Sequence, residues 1–243
     1  MAFDFNAKSF RTLLDSALDD HLEALAAAPA AEPFDQLLAA LRQAIDVMER
    51  ADADAAATGD ARVLPSDEIS DIGDYTLDLL GEVTARLEAV IGQQSRDLVR
   101  LAVPVALWIG RHGGRIRQLE LAVNSLASYA NEISDTVQLA ELARTIREII
   151  DYTADEIRQD LEQTNPRRPW RILNLNYGII ATRSHDTGLM EQAYEVLVNN
   201  LPHDARQFFR EGMQQMDIVG YPAEVRKVVE KYDSMWGSDS TLH

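Results

Sequence analysis

A stretch without acidic residues, Leu98 to Leu119, constrains the fold of this chain more than any other feature. It reads LVRLAVPVALWIGRHGGRIRQL, although the formal net charge of the 243 residues is −17. From Leu98 to Ile109 it is apolar on nearly every side at helical spacing, and a helix without a polar face must be covered by other elements. Pro104 predicts a kink or a late restart within it. We therefore expect this helix to lie inside a packed core.

A second acid-free stretch, Gln163 to His185, resembles the first in composition. It reads QTNPRRPWRILNLNYGIIATRSH. Each stretch holds several arginines, one tryptophan (Trp108, Trp170) and a glycine near the end of an apolar run (Gly110, Gly178). Together the two stretches indicate where the core lies.

Apolar residues recur at helical spacing along almost the whole chain, with no convincing alternating strand pattern. The sequence therefore predicts an all-α fold of about nine or ten helices. The expected arrangement is an array or superhelix of antiparallel helical hairpins, with an irregular helical bundle as the alternative. A polar-faced helix that begins near Ser134 would be about 45 Å long if it continued unbroken to Thr164. Alternatively, two helices meet near Asp151 and Tyr152.

The segment ADADAAATGDARVLP, residues 51–65, is the best candidate for a domain boundary, because it is small, acidic and without apolar periodicity. We predict an N-terminal helical pair over residues 1–50, a mobile linker over 51–65 and a main helical domain over 66–236. Residues 237–243 are expected to form a frayed tail.

Composition excludes several kinds of site and partner. The absence of cysteine excludes disulfides, thiolate metal sites and cysteine nucleophiles. The first residues lack the pattern of a signal peptide, and no apolar run is long enough to span a bilayer. The acidic excess repels nucleic acid and anionic lipid. We expect a cytoplasmic protein that binds neither nucleic acid nor membrane.

The region around Gly178 to Pro202 carries residue types at the spacing of a known helical repeat. Gly178 takes the small-residue position of a first helix, Tyr194 the aromatic position of a second helix, and Pro202 the terminal proline. Over about 35 residues the chain resembles tetratricopeptide helical hairpins, although Met190 and His185 depart from the pattern. The resemblance implies stacked helix pairs with a concave groove for peptides or proteins. The alternative is a generic antiparallel hairpin that places the same three residue types by chance.

The sequence offers no convincing catalytic or metal-binding motif. None of the five histidines belongs to a zinc-binding HExxH motif or a di-iron helix pair, and no phosphate-binding glycine loop or nucleophile elbow occurs. The densest run of carboxylates, Asp151 to Glu162, is typical of a solvated helix face. We predict no catalytic residue, no metal and no cofactor, and we favour a non-enzymatic protein.

The arginines of the two acid-free stretches are the remaining candidates for a binding site. Together with nearby aromatic and amide side chains they suggest a groove for a carboxylate, a phosphate or an acidic peptide. The alternative is that these arginines are structural and neutralise helix C-termini and acidic neighbours. The predicted ligand-binding or partner-binding residues are Arg111, Arg115, Arg171, Arg183, Trp108, Trp170, Asn174 and Tyr177.

The leading functional hypothesis is a non-catalytic helical adaptor or scaffold that binds a protein or acidic peptide through an anionic group. One alternative is an α-helical enzyme or small-ligand binder for an anionic substrate. A second is a self-associating structural protein, with a homodimer formed through the apolar residues of the last helix. Those residues are Val225, Val229, Tyr232 and Trp236.

Overall fold

The computed structural model describes residues 7–19, 31–91 and 96–236. In these ranges the protein is all-helical, without a strand, which confirms the predicted fold class. If the single turn Asp155–Arg158 is left out, the described part has eleven helices, against the nine or ten expected. In chain order, the helices are α1 (Ala7–Asp19), α2 (Ala31–Thr58), α3 (Ser66–Ile91), α4 (Arg96–Arg100), α5 (Ala102–Arg111), α6 (Glu120–Glu132), α7 (Thr136–Tyr152), α8 (Asp155–Arg158), α9 (Pro169–Arg183), α10 (Thr187–Asn200), α11 (Pro202–Val219) and α12 (Ala223–Trp236).

The chain divides into two compact units. Of the described residues, the first unit comprises those up to Tyr129 together with Asp151–Ile157, and the second comprises Ala130–Ile150 and those from Arg158 onward. None of these boundaries falls within the segment 51–65, where the sequence predicted the linker. Within the described ranges, no helix combines the length and the apolar character needed to cross a membrane.

Helix α2 continues to Thr58 and so includes the first eight residues of the predicted linker. The run is rich in alanine, the best helix former. Ala51 is buried, and Asp52 accepts hydrogen bonds from two other helices. Only the part from Gly59 to Pro65 is non-helical, and Gly59 has a φ of 72°, which favours glycine. Residues 20–30 of the predicted helical pair and the predicted frayed tail lie outside the described residues.

The first acid-free stretch forms the core of the first unit, as its composition predicted. Every residue from Ala102 to Ile109 is buried. Helix α3 packs closely against it at Gly73, where an added Cβ would lie 2.1 Å from the Ile109 side chain. The predicted late restart also occurs, because α4 ends at Arg100 and α5 begins two residues before Pro104.

The polar-faced segment from Ser134 to Thr164 is not one long helix, because the structure shows a break at Tyr152. Helix α7 ends at Tyr152, and the following backbone turns to pair with Ile116. The Ile116 N–H donates to the Tyr152 carbonyl at 2.9 Å, and the Ala154 N–H donates to the Ile116 carbonyl at 2.9 Å. At the break, these two hydrogen bonds with Ile116 take the place of backbone hydrogen bonds within a helix.

The second unit contains the antiparallel hairpins that were predicted from the sequence. Helices α9 and α10 pack together, as do α11 and α12. Gly178 allows the close approach in the core, because an added Cβ would lie 2.6 Å from Phe208 and 3.2 Å from Leu197. The Tyr194 hydroxyl bonds to that of Thr182 at 2.6 Å, which links α10 to α9. This packing is consistent with an array of helical hairpins.

Candidate binding surface on the second unit

The structure divides the eight predicted site residues between the two units. Trp108, Arg111 and Arg115 belong to the first unit, and Trp170, Arg171, Asn174, Tyr177 and Arg183 belong to the second.

The aromatic and amide members of the predicted site are core residues. Trp108, Trp170, Asn174 and Tyr177 are each no more than 2% exposed. The Asn174 amide donates to the Trp170 carbonyl and its oxygen accepts from Asn200 at 2.7 Å, so its hydrogen bonds link α9 to the end of α10. The prediction that these four residues offer a contact surface to a ligand is corrected by their burial. Their large apolar surfaces stabilise the helix packing instead.

Trp108 belongs to a partly buried polar cluster of the first unit. Its Nε1–H donates to Asp52 at 2.9 Å, as does His112 Nε2 at 2.8 Å, and the Ala7 N–H donates to the second carboxylate oxygen at 2.7 Å. Burial favours a higher pKa for Asp52, but the hydrogen bonds from His112, Ala7 and Trp108 together hold it below its ordinary value. The other nitrogen of His112 lies 2.9 Å from the Ala61 carbonyl. With both nitrogens occupied, His112 has none available to act as a general base, and we assign the cluster a structural role.

Two of the four predicted arginines, Arg115 and Arg183, donate to backbone carbonyl groups of their own unit. Arg183 donates to the carbonyls of Ala130 and Ile133, each at 2.8 Å, at the end of α6. Arg115 donates to the Asp151 carbonyl at 2.9 Å. These contacts support the alternative in which arginines cap helix C-termini. Arg111 is exposed.

Arg171, the remaining arginine, lines a cleft of about 360 Å³ in the second unit. The cleft lies between the segment before α9 and the α10–α11 turn. Arg171 pairs with Asp204 of the first turn of α11 at 2.7 Å and donates to the Pro166 carbonyl at 3.1 Å. The complete lining is Asp160, Gln163, Thr164, Pro166, Arg168, Arg171, Asn200, Leu201, Pro202, His203 and Asp204.

A buried ion pair fixes the wall of this cleft. The Arg168 guanidinium pairs with both carboxylate oxygens of Asp160, at 2.7 Å for Nη2 and Oδ2, and donates to the carbonyls of Gln163 and Asn165. The hydrogen bond with Asp160 outweighs burial and raises the pKa of Arg168. Asp160 has a φ of 51°, a left-handed conformation that aspartate tolerates better than most residues. The pair therefore shapes the loop and leaves little charge for a ligand.

A groove of about 440 Å³ extends from the cleft along the exposed side of α11. His203 lines both the cleft and the groove, and we call the two together the α11 surface. The opposite side of α11 is buried through Ala205, Phe209 and Met216. The groove is lined by His203, Arg206, Gln207, Arg210, Glu211 and Gln214.

The α11 surface carries a small positive excess in a strongly acidic protein. Its lining has four arginines and three acidic residues, before His203 is counted. Two of the arginines pair with Asp160 and Asp204, and the groove itself is lined by Arg206, Arg210 and Glu211. Such a surface binds polar or acidic groups by charge-assisted hydrogen bonds. Within the described residues, no group of histidine, aspartate and glutamate is placed to hold a metal.

His203, Arg206 and Arg210 were not among the predicted site residues, because the predicted arginines all lie in the two acid-free stretches. Helix α11 contains Asp204 and Glu211, which placed it outside those windows. The available signal was the i, i+3, i+7 spacing of His203, Arg206 and Arg210, which places them on one face of a helix. Because the apolar stripe of α11 lies on the other face, the face that carries His203, Arg206 and Arg210 is the solvent-exposed one.

The residues predicted for a homodimer are mostly core residues. Val225, Val229 and Tyr232 are buried against the other helices of the second unit, and the Tyr232 ring lies 5.4 Å from that of Phe209. These three residues form no open surface. Trp236 is 40% exposed and remains accessible.

Comparison of the chain with protein-family models, with curated proteins and with solved structures finds no match. The function is therefore inferred from the geometry of the α11 surface.

Proposed function

We propose that this chain is a non-catalytic, cytoplasmic helical adaptor that binds a protein or peptide at the α11 surface. The observation that carries the proposal is that the cleft and the groove are neighbours on the second unit and share the lining residue His203. The groove spans residues 203–214, which corresponds to about 16 Å of helix at 1.5 Å per residue. A surface of this length suits a segment of polypeptide.

Two further features support a binding role. The hairpins of the second unit present the polar face of α11 while their apolar residues form a common core, which is how helical-repeat proteins display a binding surface. The resemblance around Gly178 to tetratricopeptide hairpins points to the same class of partner.

The alternative candidate is a binder of a small anionic ligand in the cleft alone. The observation that favours it is the presence of Arg168 and Arg171 within one cleft of about 360 Å³, a size that suits a small molecule. Against it, both guanidinium groups already pair with the carboxylates of Asp160 and Asp204. A small anion would have to compete with these internal pairs.

Position-dependent photo-cross-linking tests the proposal. A photoreactive amino acid replaces Gln207 in the groove or, as the matched control, the exposed Gln43 of α2. We expect a protein adduct from position 207 that is absent from position 43 and is lost when Arg210→Glu is added. Equal adducts at both positions, or adducts that Arg210→Glu leaves unchanged, would contradict the proposal.

Native mass spectrometry of the intact chain distinguishes the alternative. A small anionic molecule that co-purifies with the chain and is displaced by Arg171→Gln would favour the ligand-binding hypothesis over the adaptor. Sedimentation of the same sample tests the predicted self-association, for which Trp236 is the accessible member of the predicted set.

A further inference from the structure

We propose that His112 is a pH-sensitive latch on the loop of residues 59–65, which joins α2 to α3. While the ring carries a proton on both nitrogens, it ties the Ala61 carbonyl of this loop to the Asp52 carboxylate of α2. Loss of one proton frees the loop at Ala61. This inference concerns the first unit alone and does not depend on the α11 surface.

Both ring nitrogens of His112 face atoms that accept hydrogen bonds. Nδ1 lies 2.9 Å from the Ala61 carbonyl oxygen, and Nε2 lies 2.8 Å from Oδ1 of Asp52. A carbonyl oxygen and an ionised carboxylate have no proton to donate, and a neutral imidazole has one N–H and one bare nitrogen. A neutral ring would donate to one of these oxygens and turn its bare nitrogen toward the other. The doubly protonated ring satisfies both contacts.

The Asp52 carboxylate supplies the negative charge that a doubly protonated ring requires. It also accepts from the Trp108 Nε1–H at 2.9 Å and from the Ala7 N–H at 2.7 Å. Burial favours a higher pKa for Asp52, but these hydrogen bonds and the one from His112 hold the pKa below its ordinary value, so the carboxylate is ionised at neutral pH. His112 is itself buried, and a buried cation is stable when it is paired with an anion.

Other charged residues stand on the elements around His112: Arg11 of α1, Glu49 of α2, Asp60 and Arg62 of the loop, Asp67 of α3, and Arg111 of α5 itself. Arg11 and Glu49 pair with each other at 2.8 Å, and the Asp60 carboxylate accepts from the Arg62 N–H at 2.9 Å. The side chains of Asp67 and Arg111 are exposed. Asp52 is the charged group that the structure places in a hydrogen bond with the ring.

Loss of one proton leaves His112 with a single N–H for two oxygens. The hydrogen bond to the Asp52 carboxylate is charge-assisted and the stronger of the two, so the remaining proton stays on Nε2. The lone pair of Nδ1 then faces the lone pairs of the Ala61 carbonyl, and the contact becomes repulsive. Because the held loop binds the proton more tightly than the freed loop, low pH favours the held loop and rising pH frees it.

Cleavage by trypsin after Arg62, the residue that follows Ala61, measures the release of the loop. A synthetic peptide of residues 57–67 in the same reaction corrects for the pH dependence of the protease. We divide the cleavage rate of the full chain by that of the peptide, and we expect this ratio to rise about ten-fold between about pH 6 and about pH 9. His112→Gln removes the titrating ring and should make the ratio independent of pH. The matched control His203→Gln, in the second unit, should keep the rise.

Nitrogen NMR of the histidine rings tests the protonation of His112 in the unchanged chain. A doubly protonated ring has two similar nitrogen shifts, whereas a neutral ring has one protonated and one bare nitrogen with widely separated shifts. We expect His112 to be doubly protonated while the loop is held. It should change to the tautomer with the proton on Nε2 over the same pH range in which the cleavage ratio rises.

A neutral His112 ring while the loop is held, or a cleavage ratio that does not change with pH, would overturn the latch. An equal rise in His112→Gln and in the unchanged chain would assign the loosening to other groups and overturn it as well. If His112→Gln does not fold, the two measurements on the unchanged chain decide. Titration of the ring and release of the loop over one pH range support the latch, and separate pH ranges refute it.

Discussion

Replacement of Asp52 by alanine should destabilise the first unit by about 3 kcal/mol. The carboxylate accepts from the Ala7 N–H, the Trp108 Nε1–H and His112 Nε2. A buried donor left without an acceptor costs about 1–3 kcal/mol. Because the Asp52 side chain is 22% exposed, water reaches part of the cluster, and we take about 1 kcal/mol for each donor, the low end of that range. Asp52→Asn should cost less, since its amide oxygen still accepts two of the three bonds.

Urea denaturation followed by tryptophan fluorescence measures this change in the free energy of unfolding. The matched control is Asp54→Ala, two residues later on α2, where the aspartate is exposed. Its effect should stay within about 0.5 kcal/mol. Equal effects of the two substitutions would refute the structural role of the cluster.

The same cluster predicts a dependence of stability on pH. The pKa of Asp52 is lower in the folded chain than its ordinary value, so its contribution to stability is present above the ordinary pKa of about 3.9. That contribution is lost as the pH falls through the folded value. As the pH is lowered from 5 until the chain unfolds, the free energy of unfolding should therefore decrease less for Asp52→Ala than for the unchanged chain. Parallel acid profiles for the two proteins would contradict this.

The other predictions concern the second unit and the segment between α2 and α3. Arg168→Ala leaves a buried carboxylate unpaired and should cost about 3–5 kcal/mol in urea denaturation, whereas the exposed neighbour Arg167→Ala should cost less than about 0.5 kcal/mol. Gly178→Ala forces a Cβ to within 2.6 Å of Phe208 and should destabilise the chain by about 1–3 kcal/mol, whereas the Cβ of the control Gly188→Ala meets no atom closer than 3.5 Å and should be neutral or stabilising. A smaller loss of stability for Gly178→Ala than for Gly188→Ala would contradict this packing. Limited proteolysis should cut residues 59–65 before residues 51–58, because only the latter are helical, and first cuts within 51–58 would contradict that boundary.

Periodicity predicted the fold class because most of the longer helices bury one apolar face. The stretch from Leu98 to Ile109 showed this best, since a segment that is apolar all round has no stable position outside a core. The break after Tyr152 could not be decided from the sequence, because it depends on backbone hydrogen bonds to Ile116, a residue far away in the chain.

The candidate site was harder to predict for a related reason. Whether a side chain such as Trp170 or Arg183 is available to a ligand depends on its tertiary neighbours. Trp170 is in the core, and Arg183 is engaged by two carbonyl groups. Asp52 seemed to belong to a solvated acidic linker, although it is the shared acceptor of a partly buried cluster. Composition indicates which residues are charged, but their partners are determined by the fold.

Chemical footprinting of arginines on the full chain, with and without its bound partner segment, tests the central claim most directly. Modification by phenylglyoxal is read residue by residue by mass spectrometry, with the protein captured by cross-linking at position 207 as the partner. If the α11 surface is the binding site, the partner should protect Arg206 and Arg210 and leave the exposed Arg50 and Arg111 unchanged. Protection of Arg111 with continued modification of Arg206 and Arg210 would contradict the account and return the site to the first acid-free stretch.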